Sequence, residues 1–258
     1  MSSRPYPAPT SPFVMHMSWH GLLFMHWRVP VAALRPHIPA ALPIDTFDGS
    51  AWIGVVPFYM RDVRPRFSPS LPRLSNFAEL NVRTYVTLDG RPGVWFISLD
   101  CENPLAVRAA RRLFFLPYMD AVMSVDRTPL PSGEGLGAGG IAYQSRRFHA
   151  GAPPADFAAR YHPTSEVFHA QPGTLEDFLT ARYCLYSADK QGTLRVYRGE
   201  IDHPAWPLQR AEAEVERNTM TEQISLVLPN EPPHLLFAKQ LDVVAWLPNP
   251  LPSGERAG

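Results

Sequence analysis

Polar and apolar side chains alternate with a period of two along Phe77–Leu88 (FAELNVRTYVTL), which predicts a β-strand. One face of this strand is apolar, and the other carries Glu79, Asn81, Arg83 and Tyr85. Two structures fit the pattern. In one, the polar face is solvated and holds a Glu79–Arg83 ion pair; in the other, it lines the interior of a barrel that holds a ligand. The alternation alone favours the solvated face.

The next residues predict a hairpin and then a capped helix. An Asp-Gly turn at 89–90 leads into Val94–Cys101, whose aromatic and β-branched residues are typical of a returning antiparallel strand. Asn103 is suited to cap a helix, and the proline after it suits the first helical position, where its missing N–H costs nothing. Pro117 ends this helix. Tyr118 follows directly, where its side chain can point back towards the strands.

The same patterns predict roughly ten strands and three helices in the whole chain, joined mostly by hairpins. Further strands are predicted at 50–60, 121–127, 141–149, 184–188, 193–201, 211–216 and 235–247, and further helices at 30–38 and from 174. Residues 150–173 are predicted to be mostly loop. The elements indicate a single α+β domain over 13–248, built on a closed or partly closed antiparallel β-barrel with a few flanking helices. Residues 1–12 and 249–258 are predicted to be a disordered lead-in and a disordered tail.

Composition excludes several classes of partner. Lysine plus arginine and aspartate plus glutamate each total 24, so the electrostatic case for nucleic acid or an anionic membrane is absent. We find no apolar run long enough to span a bilayer and no apolar core of a signal peptide near the start, so a cytoplasmic location is the default expectation. The two cysteines lie in apolar runs and are predicted to be buried free thiols.

Histidines and paired arginines supply the remaining candidates from pattern alone. His16, His20 and His26 lie close together, and a metal site would need facing pairs with a carboxylate nearby. His16 and His20 could share a face in either a helix or a strand, so their spacing decides nothing, and histidines hydrogen-bonded among aromatic residues are favoured over a metal site. In the strand at 141–149, one of Arg146 and Arg147 should face inward. The sequence does not distinguish the two, and Arg146 is taken as the candidate.

Four motifs resemble those of a known group of bacterial proteins. They are H-W at 26–27, E-x-N-V-R-x-Y-V from Glu79, G-T-L-x-x-F-L-x-x-R-Y from Gly173 and H-x-x-W-P-L from His203. They resemble the YqjF-like family of uncharacterised bacterial proteins, within the acetoacetate decarboxylase-like superfamily, over about Trp19 to Trp246. The resemblance implies a decarboxylase-like β-barrel, which agrees with the barrel that the patterns predict.

The resemblance to the decarboxylases implies roles for particular residues, and at one key position this chain departs from their pattern. An arginine after an N-terminal strand corresponds to Arg28, and a strand glutamate corresponds to Glu79. The position of their Schiff-base lysine is Tyr118 in this chain, and the adjacent lysine position is Met119. Neither side chain can form an imine. The only lysines, at 190 and 239, lie in unrelated contexts, so the resemblance argues against imine-based decarboxylation.

Three functions stay open. The first is an enzyme, lyase- or hydrolase-like, acting without a cofactor on a small anionic oxo-acid. Arg28 would hold the carboxylate, Glu79 and Tyr118 would be catalytic acid/base groups, and further substrate-binding candidates are Asn81, Arg83, Arg146 and His203. The second is a non-catalytic small-molecule binding protein that uses the same cavity. The third is a structural or interaction module, and the resemblance also allows a homo-oligomer.

Overall fold

A computed structural model describes residues 4–71, 74–128, 140–189 and 195–251 of the 258-residue chain. Twelve strands account for most of these residues. In chain order they are β1 (Met15–Val29), β2 (Ala51–Pro65), β3 (Phe77–Leu88), β4 (Arg91–Cys101), β5 (Tyr118–Thr128), β6 (Gly140–Arg147), β7 (Asp156–Pro163), β8 (Cys184–Ala188), β9 (Val196–Asp202), β10 (Leu208–Asn218), β11 (His234–Ala245) and β12 (Asn249–Pro250).

Helices in the described residues are short and lie outside the strands. They are α1 (Val31–Leu34), α2 (Pro104–Leu113) and α3 (Leu175–Thr180), with 3-10 turns at Arg35–His37 and Glu222–Ile224. Asn103 caps α2, because its Oδ1 accepts hydrogen bonds from the backbone N–H groups of Leu105 at 3.0 Å and Ala106 at 3.2 Å. The predicted cap is therefore confirmed.

The strands close into two rings that share one wall, with the order β4-β3-β2-β1-β11. Strands β10, β7, β6 and β5 complete a ring of nine, because β5 returns to pair with β4. Strands β8 and β9 complete a ring of seven, because β8 pairs with β4 and β9 pairs with β11. The β-barrel prediction is thus confirmed. The β4–β5 and β4–β8 pairings are parallel, so the barrel is mixed rather than wholly antiparallel.

Two apolar cores lie on opposite faces of the shared wall. On β1, Leu23 packs into the core of the nine-strand ring with Tyr143 of β6, whereas Leu22 packs into the second core with Trp206. Every residue from 77 to 86 on β3 is buried for the same reason. A strand with a core on each face has no solvated side, which decides the environment of its polar residues.

Strand β7 lies within the loop-rich segment 150–173, where the sequence patterns did not predict a strand. Phe157, Ala159 and Tyr161 alternate inward and are buried, so the strand has the ordinary period of two. It pairs with β6 on one side and β10 on the other, and these pairings complete the nine-strand ring.

The first described residues lie against the barrel, within the segment for which the sequence predicts a disordered lead-in. The Arg4 guanidinium forms an ion pair with Glu200 and donates a hydrogen bond to the carbonyl of Ile201 at 2.5 Å. The indole N–H of Trp246 donates to the carbonyl of Ser11 at 2.7 Å. At the other end of the chain, β12 pairs with β9, and residues 252–258 of the predicted tail lie outside the described residues.

Among the described residues, no helix combines the length and apolar character that crossing a membrane requires.

Candidate functional site

The polar face of β3 points into a cavity of about 440 Å³ inside the seven-strand ring. All seven strands of that ring contribute lining residues, and α2 covers one end. Glu79, Asn81 and Arg83 all line the cavity and are at most 8% exposed. The interpretation of this face as solvated is therefore wrong, and the alternative of a polar barrel interior is the one that the structure adopts.

Glu79 and Tyr118 form a buried hydrogen-bonded pair in this cavity. The Tyr118 hydroxyl donates to Glu79 Oε2 at 2.8 Å. Burial raises the pKa of the Glu79 carboxyl to about 8, and the hydrogen bonds with Tyr118 and Asn81 oppose that rise only in part. The pKa of Tyr118 is raised well above its ordinary value, first by burial and then by the nearby Glu79 charge. Near neutral pH the pair is therefore mostly uncharged.

Arg83 contributes a cation that no acidic side chain neutralises among the described residues. Its Nη2 donates to the Tyr85 hydroxyl at 3.3 Å and to the carbonyl of Leu179 at 3.2 Å, both neutral acceptors. Its Nε is buried without a hydrogen-bond partner, and so is Oδ1 of Asn81. The cavity thus contains an unused donor on a positive group and an unused acceptor two residues away.

A second buried hydrogen-bond chain fixes the end of β3 beneath Arg83. The Tyr85 hydroxyl donates to the carbonyl of Leu179 at 2.8 Å, so the 2.7 Å contact with His26 requires the histidine proton on Nε2. Burial, followed by the charge of Arg83, lowers the pKa of His26 well below its ordinary value. His26 is thus a neutral donor that orients Tyr85, which in turn contacts Arg83.

His203 also lines the cavity, and backbone carbonyl groups hold its ring in place. Its Nδ1 is 2.8 Å from the carbonyl of Pro204, and its Nε2 is 3.3 Å from that of Arg182. Its ring stacks on Tyr183 with centroids 4.4 Å apart. Burial lowers its pKa. His203 therefore lines the cavity, but both ring nitrogens already face acceptors.

Two predicted binding residues lie elsewhere, and these predictions are corrected. Arg28 is exposed near the end of β1, over the ring of Trp52 at 5.8 Å, and does not line the cavity. Arg146 has a side chain that is 74% exposed and pairs with Asp156 on the outside of the barrel. Strand parity explains the second case, because neighbouring side chains of β6 point to opposite faces.

Arg147 faces inward instead of Arg146, but on the other side of the shared wall. It forms a fully buried ion pair with Asp100 at 2.7 Å and donates to Ser98 Oγ at 2.9 Å. Burial raises the pKa of Asp100 to about 6, although the charge of Arg147 opposes that rise. The pair belongs to the nine-strand ring and does not reach the cavity.

The cavity lacks a lysine among the described residues that line it. Lys239 has an exposed side chain on β11, and Lys190 lies outside the described residues. The described residues also contain no cluster of three histidine, cysteine, aspartate or glutamate side chains that could hold a metal ion.

Sequence reasoning missed several residues that line the cavity near Tyr85. Arg182 lines it, with a guanidinium that pairs with Asp45 at 2.6 Å and lies 4.7 Å from the centre of the Tyr85 ring. Thr180 and Trp206 lie beside it, joined by a 2.8 Å hydrogen bond from the indole N–H to the threonine carbonyl. The R-Y and W-P-L motif positions contained this signal, because Arg182 and Trp206 are among them.

Comparison with known proteins agrees with the fold. Residues 16–242 match the DUF2071 family, described as an uncharacterized conserved protein. The uncharacterized protein YqjF of Bacillus subtilis (strain 168) is 39% identical over 238 residues, covering 92% of this chain and 93% of that protein.

Solved structures with the same fold share far less sequence. An acetoacetate decarboxylase-like enzyme from Sphingomonas wittichii RW1 has a TM-score of 0.61 at 14% identity, covering 97% of this chain and 99% of that one. The enduracididine biosynthesis enzyme MppR complexed with pyruvate has a TM-score of 0.60 at 12% identity, covering 97% of both chains. At these identities the likeness concerns the fold, whereas the family match extends over most of the sequence. The chain therefore belongs to the DUF2071 family, with an acetoacetate decarboxylase-like β-barrel fold.

Proposed function

We propose that the cavity binds a small organic carboxylate, with Arg83 as the group that holds the carboxylate. The observation that carries this proposal is the buried guanidinium of Arg83, which has only neutral hydrogen-bond partners and a free Nε. A buried cation without a counter-charge is costly, and an anionic ligand would relieve that cost. By contrast, Arg182 nearby already has Asp45.

The other polar groups of β3 extend this site towards α2. Residues two apart on one strand face are spaced about 6.6 Å along it, so Asn81 follows Arg83 by one step and Glu79 by two. Asn81 can bind a hydroxyl or amide through its free Oδ1. While the Tyr118 hydroxyl donates to Glu79, the carboxyl proton of neutral Glu79 can donate to a carbonyl oxygen. The set is suited to an oxo-acid, and the pyruvate complex of MppR, a protein of the same fold, supports that class.

The test measures binding of oxo-acids and simple acids to the wild-type protein and to Arg83→Met, which keeps an unbranched apolar stem but removes the guanidinium and its charge. Hydrogen bonds to charged groups contribute about 1.5–3 kcal/mol, so Arg83→Met should weaken binding about 10- to 100-fold in calorimetry. Arg28→Met is the matched control, because it removes an exposed arginine outside the cavity. Equal losses in both variants, or none in either, would contradict the carboxylate site.

Catalysis at the same site is the second candidate, and the raised pKa of Glu79 favours it. A carboxyl group with a pKa of about 8 changes protonation close to neutral pH, as a general acid or base requires. With the carboxylate of an oxo-acid held by Arg83 and its carbonyl several carbons along the chain, ionised Glu79 could remove a proton from the carbon next to that carbonyl, and Tyr118 could donate to the developing enolate oxygen. This reaction needs no lysine.

Hydrogen–deuterium exchange into bound oxo-acids, followed by NMR, tests that reaction. Because ionised Glu79 is the base, the exchange rate should rise about tenfold per pH unit below about pH 8 and level off above it. Glu79→Gln should abolish exchange, whereas Tyr118→Phe should slow it and move the plateau to higher pH, because the Tyr118 hydrogen bond lowers the Glu79 pKa. Binding without exchange at any pH would leave the protein a carrier of its ligand and exclude the catalytic role.

A further inference from the structure

The cavity is larger than a small oxo-acid needs. At the roughly 30 Å³ that one water molecule occupies in the liquid, a volume of about 440 Å³ holds about 15 non-hydrogen atoms. A three-carbon acid bound at Arg83 would fill less than half of that space. The remaining volume must then hold other ligand atoms or water.

The lining decides between these occupants, because most of it is apolar. Phe58, Met60 and Phe77 face this space, whereas the polar lining is limited to the row on β3, Tyr118 beside it, Asn103 at the start of α2 and the group of Thr180, Arg182 and His203. Water is stable in a cavity when it finds several polar partners, and apolar cavities tend to stay dry or to bind apolar molecules. The lining therefore favours a ligand with an extended apolar body.

The exposed fractions of the lining residues differ between the two ends of the cavity, and this difference indicates how the ligand is oriented. Around Arg83 the lining residues are deeply buried, with Thr180 4% exposed and Arg182 5% exposed. At the α2 end, Leu105 is 64% exposed and Leu113 53% exposed, although both line the same cavity. Arg83 is thus at the floor, and the leucines of α2 mark the mouth. From Arg83 to Phe77 the strand extends about 20 Å.

We propose that the natural ligand is an amphipathic monocarboxylate of about eight to twelve carbons, with its carboxylate at Arg83 and its apolar chain extending past Glu79 and Tyr118 towards α2. This inference rests on the proposed carboxylate site and specifies its substrate class. A charged head at the floor pairs with Arg83, and the chain contacts apolar residues over the rest of the cavity. The Glu79–Tyr118 pair then adjoins the middle of the chain, where an oxo or hydroxyl substituent would meet it.

Calorimetry with unsubstituted straight-chain acids of four to twelve carbons, and with the longer acids carrying an oxo group near the middle of the chain, tests the chain length when all are kept below their micelle concentrations. Each methylene buried should tighten binding about fourfold, so ten-carbon acids should bind on the order of a hundredfold or more tighter than four-carbon acids. Arg83→Met should weaken the whole series by a similar factor. 1-Decanol, which has the chain but no carboxylate, should bind much more weakly than decanoate.

The outcomes separate the two proposals. If short acids bind as tightly as long ones and Arg83→Met weakens them, the carboxylate site stands and the long-chain inference is overturned. If no acid in the series binds, or if decanol matches decanoate, the carboxylate site itself is wrong and the inference that rests on it is wrong too.

A larger side chain at the mouth of the cavity gives an independent test of where the ligand chain lies. Ala110 is half-buried on the face of α2 that lines the cavity, so Ala110→Phe should reduce the affinity for ten-carbon acids at least tenfold and leave four-carbon acids unchanged. Arg112→Phe is the matched control, because it adds the same ring to an exposed position of α2 outside the lining. Equal effects on long and short acids in Ala110→Phe would contradict a chain that reaches α2.

Discussion

Glu79 shows how strongly its surroundings determine the protonation of a single residue. Its carboxyl is fully buried and accepts a hydrogen bond from the Tyr118 hydroxyl. Burial outweighs the hydrogen bonds and raises its pKa to about 8. The fold therefore favours the protonated form of a carboxyl group that would be ionised at neutral pH in water. An acid that the fold keeps neutral contributes stability with an unusual dependence on pH.

Stability should fall as pH rises, and Glu79→Gln should remove part of that fall. The Glu79 pKa is about 8 in the folded protein against an ordinary 4.5, so the folded state holds an extra proton between these values. Its contribution is fully present below about pH 4.5 and is lost as pH rises through about 8. Urea unfolding at several pH values should show wild type losing on the order of a few kcal/mol more than Glu79→Gln across this window.

Asp100 has a raised pKa of about 6 and changes stability in the same direction. Because it is present in both proteins, its contribution cancels in the difference between wild type and Glu79→Gln. Parallel curves for the two proteins would show that Glu79 is ionised in the folded state and contradict the prediction.

Individual residues also show which parts of the site could be predicted. Alternation placed Glu79, Asn81 and Arg83 on one face of a strand, and the structure retains that grouping. Alternation could not show that the face is interior, because both faces of β3 are buried and a polar face is ordinarily a solvated one. Arg28 was chosen by resemblance to the decarboxylases, and the structure places it at an exposed strand end.

At the level of elements, helix α2 connects the cap at Asn103 to the mouth of the cavity. Its N-terminus is tied to the loop before β3, because the Asn103 side-chain amide donates to the carbonyl of Leu74 at 3.1 Å. Its leucine and alanine residues line the cavity. The position of the helix therefore depends on one side chain, which accepts hydrogen bonds from the first turn of α2 and donates one to the loop before β3.

Asn103→Ala should lower the free energy of unfolding by about 1–2 kcal/mol, since it removes two cap hydrogen bonds from α2. Asn103→Asp is the matched control, because a carboxylate still accepts from the N–H groups of Leu105 and Ala106 but cannot donate to Leu74. It should retain most of the stability in urea unfolding. Equal losses in the two variants would assign the effect to the Leu74 contact rather than to the cap.

Strand β7 shows why one element escaped prediction while β3 did not. Its inward residues, Phe157, Ala159 and Tyr161, do alternate, but the strand has only eight residues and lies between proline-containing loops. Alanine between the aromatic residues gives a weak apolar signal. What stabilises β7 is pairing on both sides, with β6 and β10, and that information is non-local.

For the whole molecule, the seven-strand ring depends on a short closure. Strands β9 and β11 pair only through Asp202 with Val244 and Ile201 with Ala245, and we call these four residues the seam. The N-terminal segment lies along the seam: Arg4 binds the carbonyl of Ile201, and the N–H of Val14 donates to the carbonyl of Ala245 at 2.8 Å. The segment thus supplements the few hydrogen bonds that close the ring around the cavity.

Removing this segment should therefore weaken the ring. Arg4→Ala should lower the free energy of unfolding by about 1–3 kcal/mol, because it removes charge-assisted hydrogen bonds to Glu200 and the seam. The loss should be smaller than that expected for a buried charge left without a partner, because Glu200 retains ion pairs with Arg91 at 3.0 Å and Arg198 at 2.9 Å. Urea unfolding of wild type, Arg4→Ala and a variant lacking residues 1–12 measures this.

The shortened variant also decides between two views of the N-terminus. If residues 1–12 form the disordered lead-in that the sequence predicts, deleting them leaves stability and carboxylate affinity unchanged. If the contacts of Arg4 and Ser11 close the ring, deletion costs at least as much stability as Arg4→Ala. It should also weaken ligand binding, because Ile201 and Ala245 line the cavity as well as form the seam. A loss of affinity would thus link the first residues of the chain to the binding site.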